Sequence, residues 1–195
     1  MPELFAEAMR RAQAWFDDAQ AAGIGQSNAI ALATVDATLR PAVRFVLLKG
    51  IDARGFTFFT NLQSRKAQHI ADNAHAAFAV HWDALGRQIN VEGAAEAVTV
   101  QEADEYWRTR PRESQLGAWA SMQSQVLDDR AILEARFAHF DAQFGDSAIP
   151  RPAHWSGYRL LPTRIELWTT KPYRLHERIC YQQRDGEWHK LLLNP

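Results

Sequence analysis

Residues 106–124, YWRTRPRESQLGAWASMQS, gather arginines, serines and glutamines where neither a hydrophobic core nor a plain surface helix needs them. A surface helix shows an apolar stripe at i, i+3 and i+4, and Arg110, Arg112, Ser114, Gln115, Ser121, Gln123 and Ser124 break any such stripe around a Pro and a Gly. These side chains suit the binding of an anion, through guanidinium charge and through hydroxyl and amide hydrogen bonds. A solvated loop following a helix is the plainer explanation of the same segment.

Three more clusters point the same way. In Asn61-Leu62-Gln63-Ser64-Arg65-Lys66, Ser64 reads as a helix N-cap with two cations in the first turn. Free N–H groups and the positive helix end repel cations there, and a bound phosphate turns that conflict into attraction; two solvated charges are the alternative. In Arg174-Leu175-His176-Glu177-Arg178, a strand would place Arg174, His176 and Arg178 on one face. Such a face lines an anionic ligand or forms the wet side of an edge strand. In Arg44-Phe45-Val46-Leu47-Leu48-Lys49, strand parity sends the two cations to opposite faces unless a bulge intervenes, so each can serve a different anionic group. The alternative is a core strand whose charged ends reach water.

The elements that must hold these clusters follow from periodicity and turn residues. Residues 3–22 read as an amphipathic helix with Phe5, Met9, Ala12, Phe16 and Ala19 near one face, ended by Gly23-Ile24-Gly25. Short β-rich runs at 29–36, 41–50 and 55–61 have connections too short for helical crossovers, which predicts antiparallel pairing. A helix at 64–72, strands at 76–82 and 87–100, and a helix at 101–110 come next, followed by an amphipathic helix over 126–144 with Ile132, Leu133, Phe137, Phe140 and Phe144 as its apolar side. Three strand-like runs complete the chain, the last two joined by a hairpin through Asp185-Gly186. With no repeat or linker, the pattern predicts one α+β domain over residues 1–195, mainly β: a small antiparallel barrel flanked by helices.

Composition narrows the function classes. With 195 residues, 47% of them hydrophobic, the chain can bury a sizeable core as one domain. A net charge of -1 and a pI near 6.7 give no overall attraction to nucleic acid or anionic membrane, so neither is expected as a partner. The lone Cys180 fits a reducing cytoplasm. The first turns carry acids and arginines rather than a secretory signal's apolar region, and no later run approaches the roughly 20 residues of a membrane span. A soluble, cytoplasmic protein is expected. The histidines show no H-x-x-x-H or H-x-H spacing, so no metal is expected. A phosphate-binding G-x-x-x-x-G-K-[ST] loop, a G-x-G-x-x-G turn and a G-x-S-x-G elbow are also missing, which counts against nucleotide-hydrolase, Rossmann and serine-hydrolase readings.

Taken together, RFVLLKG, FFTNLQSRKA, RQINVEG, RPRESQLGAWASMQS, HWSGYRLLPTRIELW and RLHER, in this order and roughly this spacing, resemble the pyridoxine/pyridoxamine 5′-phosphate oxidases. The likeness runs from about residue 12 to the C-terminus, and its RPR-[DE]-SQ-x-GAW and RLH-[DE]-R signatures are specific. It implies an FMN-binding split β-barrel homodimer with two FMN sites at the subunit interface, each built from both chains. Carried over by position, Arg44, Lys66 and Ser124 would hold the FMN phosphate with help from Thr60 and Arg65. The backbone of Val46, Leu47 and Leu48, with Lys49 and Phe59 nearby, would edge the isoalloxazine, and Gln88, Gln123, Trp168 and Arg178 would complete the flavin pocket. Lys49, Tyr106, Arg110 and Ser114 would bind the substrate phosphate, with Arg174 and His176 over the pyridine ring as the catalytic pair. The implied reaction passes hydride from C4′ of pyridoxamine or pyridoxine 5′-phosphate to FMN N5, O2 then giving H2O2 and the product being pyridoxal 5′-phosphate.

The chain departs from the family pattern in places. Phe59 stands where Tyr is usual, which removes a hydroxyl and leaves any backbone contact intact. The chain starts without the basic extension that in longer members folds over the substrate, and EWHKLLLNP lacks the Arg usual near the end. Lid closure and substrate affinity are the properties these departures bear on. Two other readings stay open. One is a related FMN oxidase of the same barrel acting late in phenazine synthesis, against which the phosphate set of Lys49, Tyr106, Arg110 and Ser114 stands. The other is a non-catalytic FMN or pyridoxal-phosphate binding module.

Overall fold

The computed structural model describes residues 1–195. Its eight strands are β1 (Ala29–Val35), β2 (Pro41–Asp52), β3 (Gly55–Asn61), β4 (His75–Trp82), β5 (Arg87–Ala97), β6 (Trp155–Thr169), β7 (Glu177–Arg184) and β8 (Glu187–Leu192). All pairings are antiparallel, in the order β3-β2-β1-β4-β5-β6-β7-β8, and an extra β3–β6 pairing closes the first six strands into a barrel. The five α-helices are α1 (Glu3–Ala21), α2 (Arg65–Asp72), α3 (Val100–Arg108), α4 (Arg112–Ala120) and α5 (Arg130–Phe144).

Period-2 alternation builds the barrel interior: Ile30, Leu32 and Thr34 of β1 point inward with Phe56, Phe58, Phe78, Val80, Ile89 and Val91 of its neighbours. Helix α1 covers this core with Ala8, Met9, Ala12, Phe16 and Ala19, while Phe5 stacks on Trp188 of β8 at 4.9 Å. A second cluster of Trp107, Leu116, Ile149 and Trp155 ties α3 and α4 to the start of β6, and Phe137, Phe140 and Phe144 of α5 rest on it half-buried.

Strand β6 survives an internal Pro162 because the β5 register slips between Glu92 and Gly93, opposite that proline. Gly93 is required there, since an added Cβ would lie 2.0 Å from the Leu161 carbonyl oxygen. The Asp185-Gly186 hairpin forms as expected, with φ of 50° and 83° at the two loop residues.

Four expectations need correction. Residues 112–120 are helix α4 rather than an irregular polar stretch, entered through Pro111 and anchored by buried Leu116 and Ala120. The long amphipathic helix starts at Arg130, capped by the Asp129 carboxylate, not at 126, and leaves Ile132 39% exposed instead of packed. Strand β5 stops at Ala97, because Thr99 and Glu102 form a capping box that starts α3. The RLHER segment is not a continuous strand: Pro172–Arg174 form a 3-10 turn with Tyr173 at φ 58° and Arg174 at φ 61°, and β7 begins only at Glu177. Arg174, His176 and Arg178 therefore do not share a face by strand alternation.

Candidate functional site

A cleft of about 380 Å³ opens between β2, β3 and the α3–α4 corner. Of the residues expected to act, it is lined by Val46, Leu47, Lys49, Phe59, Thr60, Lys66, Tyr106, Arg110, Ser114 and Gln123. Residues 106–124 thus supply part of the lining of this cleft. Within them the roles divide: Arg110, Ser114 and Gln123 face the cleft, whereas Arg112 and Gln115 serve the scaffold. Arg112 donates to the carbonyls of Gly145 and Ser147 just past α5, and Gln115 donates to the Trp107 carbonyl at 2.8 Å.

Lys66 lines one end of the cleft, and Arg44 and Arg65 are gathered behind it without lining the cleft themselves. Lys66 is only 8% exposed, yet its Nζ donates solely to neutral oxygens: Gln123 Oε1 at 2.8 Å, Thr60 Oγ1 at 3.0 Å and Ser64 Oγ at 3.3 Å. Ser64 precedes α2 but makes no capping bond with its side chain, contrary to its expected role; it is buried beneath Lys66 instead. Burial, with help from the nearby Arg44 charge, pushes the Lys66 ammonium down to about 8. Arg44 is lowered for the same reasons, burial first and then repulsion from Arg65. Arg44 Nη1 donates to Thr34 Oγ1 at 2.7 Å and to the Leu32 carbonyl at 3.1 Å. Three neighbouring cations whose hydrogen bonds all go to neutral acceptors form a site suited to an anion. A phosphate fits it.

The second positive group lies along the same cleft. Arg110 donates to the Ser114 carbonyl at 2.9 Å and stacks on Trp155 at 4.8 Å, while its Nε is buried without a partner. Burial lowers Arg110 as well, against the opposing pull of Tyr106. Lys49 Nζ lies 5.9 Å from the Tyr106 ring. The bulge that parity left open is present: the β2–β3 register slips between Leu48 and Gly50, at Lys49. Phe59, Tyr106 and Trp155 line the cleft as a triangle of nearly parallel rings, with centroids 4.1 Å (Phe59–Tyr106), 5.4 Å (Phe59–Trp155) and 6.0 Å (Tyr106–Trp155) apart, giving an apolar wall. A planar ligand with phosphate-bearing ends suits this arrangement of charge and aromatic surface.

The remaining expected residues are not brought into this cleft. Leu48 is buried in the barrel core, and Ser124 sits beyond Gln123 at φ 74°. Gln88, Trp168 and Arg178 lie side by side across β5, β6 and β7 as direct cross-strand partners. His176 rests on the Trp168 ring at 4.6 Å and its Nδ1 accepts from the Lys171 N–H at 3.2 Å. Arg178 grips the buried Glu166 with Nε at 2.7 Å and Nη2 at 3.0 Å. Burial pushes the Glu166 carboxyl up, but hydrogen bonds from Arg178 and Arg164 outweigh it and hold the group below its ordinary range. Neither Gln88, Trp168, Arg174, His176 nor Arg178 lines the cleft of their own chain. Ser121, one of the polar residues that break the apolar stripe, lines it too, as do Asn61, Trp155 and Phe45, to which the sequence reading gave no role; Asn61 sits inside the FFTNLQSRKA motif.

No group of three or more His, Cys, Asp or Glu side chains is arranged to hold a metal ion, and no helix is long and apolar enough to cross a membrane. Burial pushes the Cys180 thiol up, so it is a packed core group.

A closed barrel of this topology puts the chain in the split-barrel fold class, and its family is FMN-dependent. A family model described as pyridoxamine 5′-phosphate oxidase matches residues 16–144, and one described as the pyridoxine 5′-phosphate oxidase C-terminal dimerisation region matches residues 155–195. The chain belongs to the pyridoxine/pyridoxamine 5′-phosphate oxidase family. It is 52% identical over 188 residues to pyridoxine/pyridoxamine 5′-phosphate oxidase 1 of Ralstonia nicotianae, covering 96% of this chain and 88% of that one. It is 51% identical over 183 residues to the Pseudomonas paraeruginosa enzyme, covering 93% and 85%. Among solved structures it is similar to PhzG from Burkholderia lata 383 in complex with tetrahydrophenazine-1-carboxylic acid, at TM-score 0.91 and 32% identity over 95% of this chain and 91% of that one. An FMN-binding protein from Nostoc punctiforme, at TM-score 0.72 and 17% identity over 97% and 95%, shares the fold.

Proposed function

We propose that the protein oxidises pyridoxamine 5′-phosphate and pyridoxine 5′-phosphate to pyridoxal 5′-phosphate as a homodimer with FMN at the subunit interface. The observation that carries this reading is the pair of separate cation groups along one aromatic-walled cleft: Lys66, backed by Arg44 and Arg65, and Lys49 with Arg110. Two groups match two phosphates, one on the cofactor and one on the substrate.

Bound FMN supplies the hydride acceptor for C4′ of the substrate, O2 is reduced to H2O2, and for the amine substrate water replaces the nitrogen, which leaves as ammonia. The chain's own residues do the positioning. Arg44, Arg65 and Lys66, with Thr60 and Ser124, hold the cofactor phosphate, and the Val46–Leu48 backbone and Gln123 edge the ring system. Lys49, Tyr106, Arg110 and Ser114 clamp the substrate phosphate, and the Phe59 stack excludes water from one side. The row of Gln88, Trp168 and Arg178 comes from the partner subunit, bringing Arg174 and His176 over the substrate ring. Glu166 is what keeps Arg178 in place, and Arg174 acts as clamp and electrostatic partner.

An anaerobic titration of FMN-loaded protein with pyridoxamine 5′-phosphate tests this directly. The flavin absorbance bleaches, and air restores it with release of pyridoxal 5′-phosphate. The likeness to PhzG supports a second reading, in which the reductant is a partly reduced phenazine carboxylic acid. Bleaching by tetrahydrophenazine-1-carboxylic acid and not by the phosphorylated amine selects it; a bound flavin that neither compound bleaches selects a non-catalytic binding module.

A further inference from the structure

Behind the cation cluster, outside the cleft, stand two buried polar side chains: Thr34, wholly buried on β1, and His69, 5% exposed on α2. Thr34 breaks an otherwise apolar inward row, Ile30 and Leu32 preceding it. Arg65 Nε lies 3.3 Å from His69 Nε2, and His69 Nδ1 lies 3.2 Å from Thr34 Oγ1. A guanidinium can only donate, so Nε2 accepts and Nδ1 carries the ring proton. That proton is given to Thr34 Oγ1, whose other lone pair takes Arg44 Nη1 at 2.7 Å. Both ring nitrogens of His69 and both lone pairs of Thr34 Oγ1 are matched in the chain Arg65–His69–Thr34–Arg44 only if the imidazole is neutral.

We propose that Thr34 and His69 are positioning residues that lock Arg44 and Arg65 into one anion-binding fork, and that gain of a proton by His69 releases Arg65 and weakens FMN binding. The proposal rests on the reading that Arg44, Arg65 and Lys66 take the FMN phosphate. The charged groups around the imidazole are Arg65 and Lys66 on its own helix, Arg44 from β2 through Thr34, and the Asp36 carboxylate just past the end of β1. A protonated ring would present N–H to the Arg65 guanidinium and add a fourth cation to the cluster.

The test is the Kd of FMN for apoprotein, read by quenching of flavin fluorescence between about pH 5.5 and 8, with the His69 tautomer and titration midpoint read by nitrogen NMR of the ring. The ring is expected as the Nδ1–H form. His69→Leu raises the Kd about tenfold, as loss of a hydrogen bond to a charged partner does, and Thr34→Val does so severalfold. His69→Gln restores near-native binding at neutral pH, because its amide accepts from Arg65 and donates to Thr34. Below the measured midpoint, wild-type Kd climbs toward that of His69→Leu while His69→Gln does not follow; protonation of the FMN phosphate itself affects both proteins, so their ratio isolates the imidazole. Superimposable wild-type and Gln profiles, an Nε2–H ring, or tighter wild-type binding on protonation would each overturn the relay. If variants misfold, the tautomer and the midpoint of wild-type His69 decide alone: the relay requires the midpoint to fall when FMN binds, and a rise overturns it. Lys66→Ala separates the two levels, since an unchanged Kd there sinks the phosphate placement itself, whereas a weakened Kd with superimposed His69 profiles sinks only the relay.

Discussion

Lys66 is a cation held in a nearly dry site by neutral oxygens, and on the proposed placement of the FMN phosphate its titration would make FMN binding a proton-linked event. In the apoprotein burial holds it near 8 against an ordinary 10.5, so between those values the unfolded chain binds the extra proton and apoprotein stability rises with pH. A phosphate beside the ammonium reverses the shift. FMN binding is therefore expected to take up a proton near pH 8 and to weaken as pH climbs further. Calorimetry in buffers of different ionisation enthalpy measures that uptake; a Lys66→Met protein with the same uptake would assign it elsewhere. Arg174→Ala is expected to leave FMN bound and to cut turnover by two or more orders of magnitude, as loss of a positioning clamp does. Full activity in that variant, measured as release of pyridoxal 5′-phosphate, would remove Arg174 from the reaction.

At the scale of elements, the aromatic stack under the cleft depends on a glycine. Gly157 of β6 pairs with Phe59, and an added Cβ would lie 2.6 Å from both the Phe58 carbonyl oxygen and a Phe59 ring carbon. Gly157→Ala is expected to lower stability by about 1–3 kcal/mol through forced displacement and to loosen FMN by tilting the ring. Denaturant unfolding and flavin quenching read the two effects, and an unchanged flavin Kd would detach the stack from cofactor binding. The barrel strands were legible because each alternates and is bounded by turn residues, as Ile30-Leu32-Thr34 and Asp185-Gly186 show. Helix α4 was not, because what satisfies Arg112 and Gln115 lies outside it, at the end of α5 and at the Trp107 carbonyl. The RLHER turn hid for another reason: Tyr173 and Arg174 adopt left-handed backbone without a glycine to announce it.

At the scale of the whole molecule, the site residues divide into two sets that one chain does not join. The cleft of Lys66 and Arg110 is one set, and the cross-strand row of Gln88, Trp168 and Arg178 with the Arg174 turn is the other. Along β2, Val43 and Phe45 are 65% and 75% exposed beside the cleft, apolar surface that a partner subunit would cover. Sequence periodicity held no trace of this division, since Gln88 and Trp168 meet only through strand register; the recognisable motifs supplied their roles. If each site draws on both chains, co-expressed Lys66→Ala and Arg174→Ala proteins form mixed dimers with one intact site. Random pairing makes half the dimers mixed, so about a quarter of wild-type activity returns although each variant alone is impaired. No recovery would place both sets in the same chain's site.

Arg44, Arg65 and Lys66, crowded together with every hydrogen bond on a neutral acceptor, also govern the fate of a newly made chain. If the cluster takes the flavin phosphate as proposed, internal repulsion would leave the empty protein less secure against opening and proteolysis, and the bound ligand would secure it by mass action. The amount of this protein in a cell would then follow the supply of riboflavin, with no sensor or repressor interposed, because the empty chain is the one cleared.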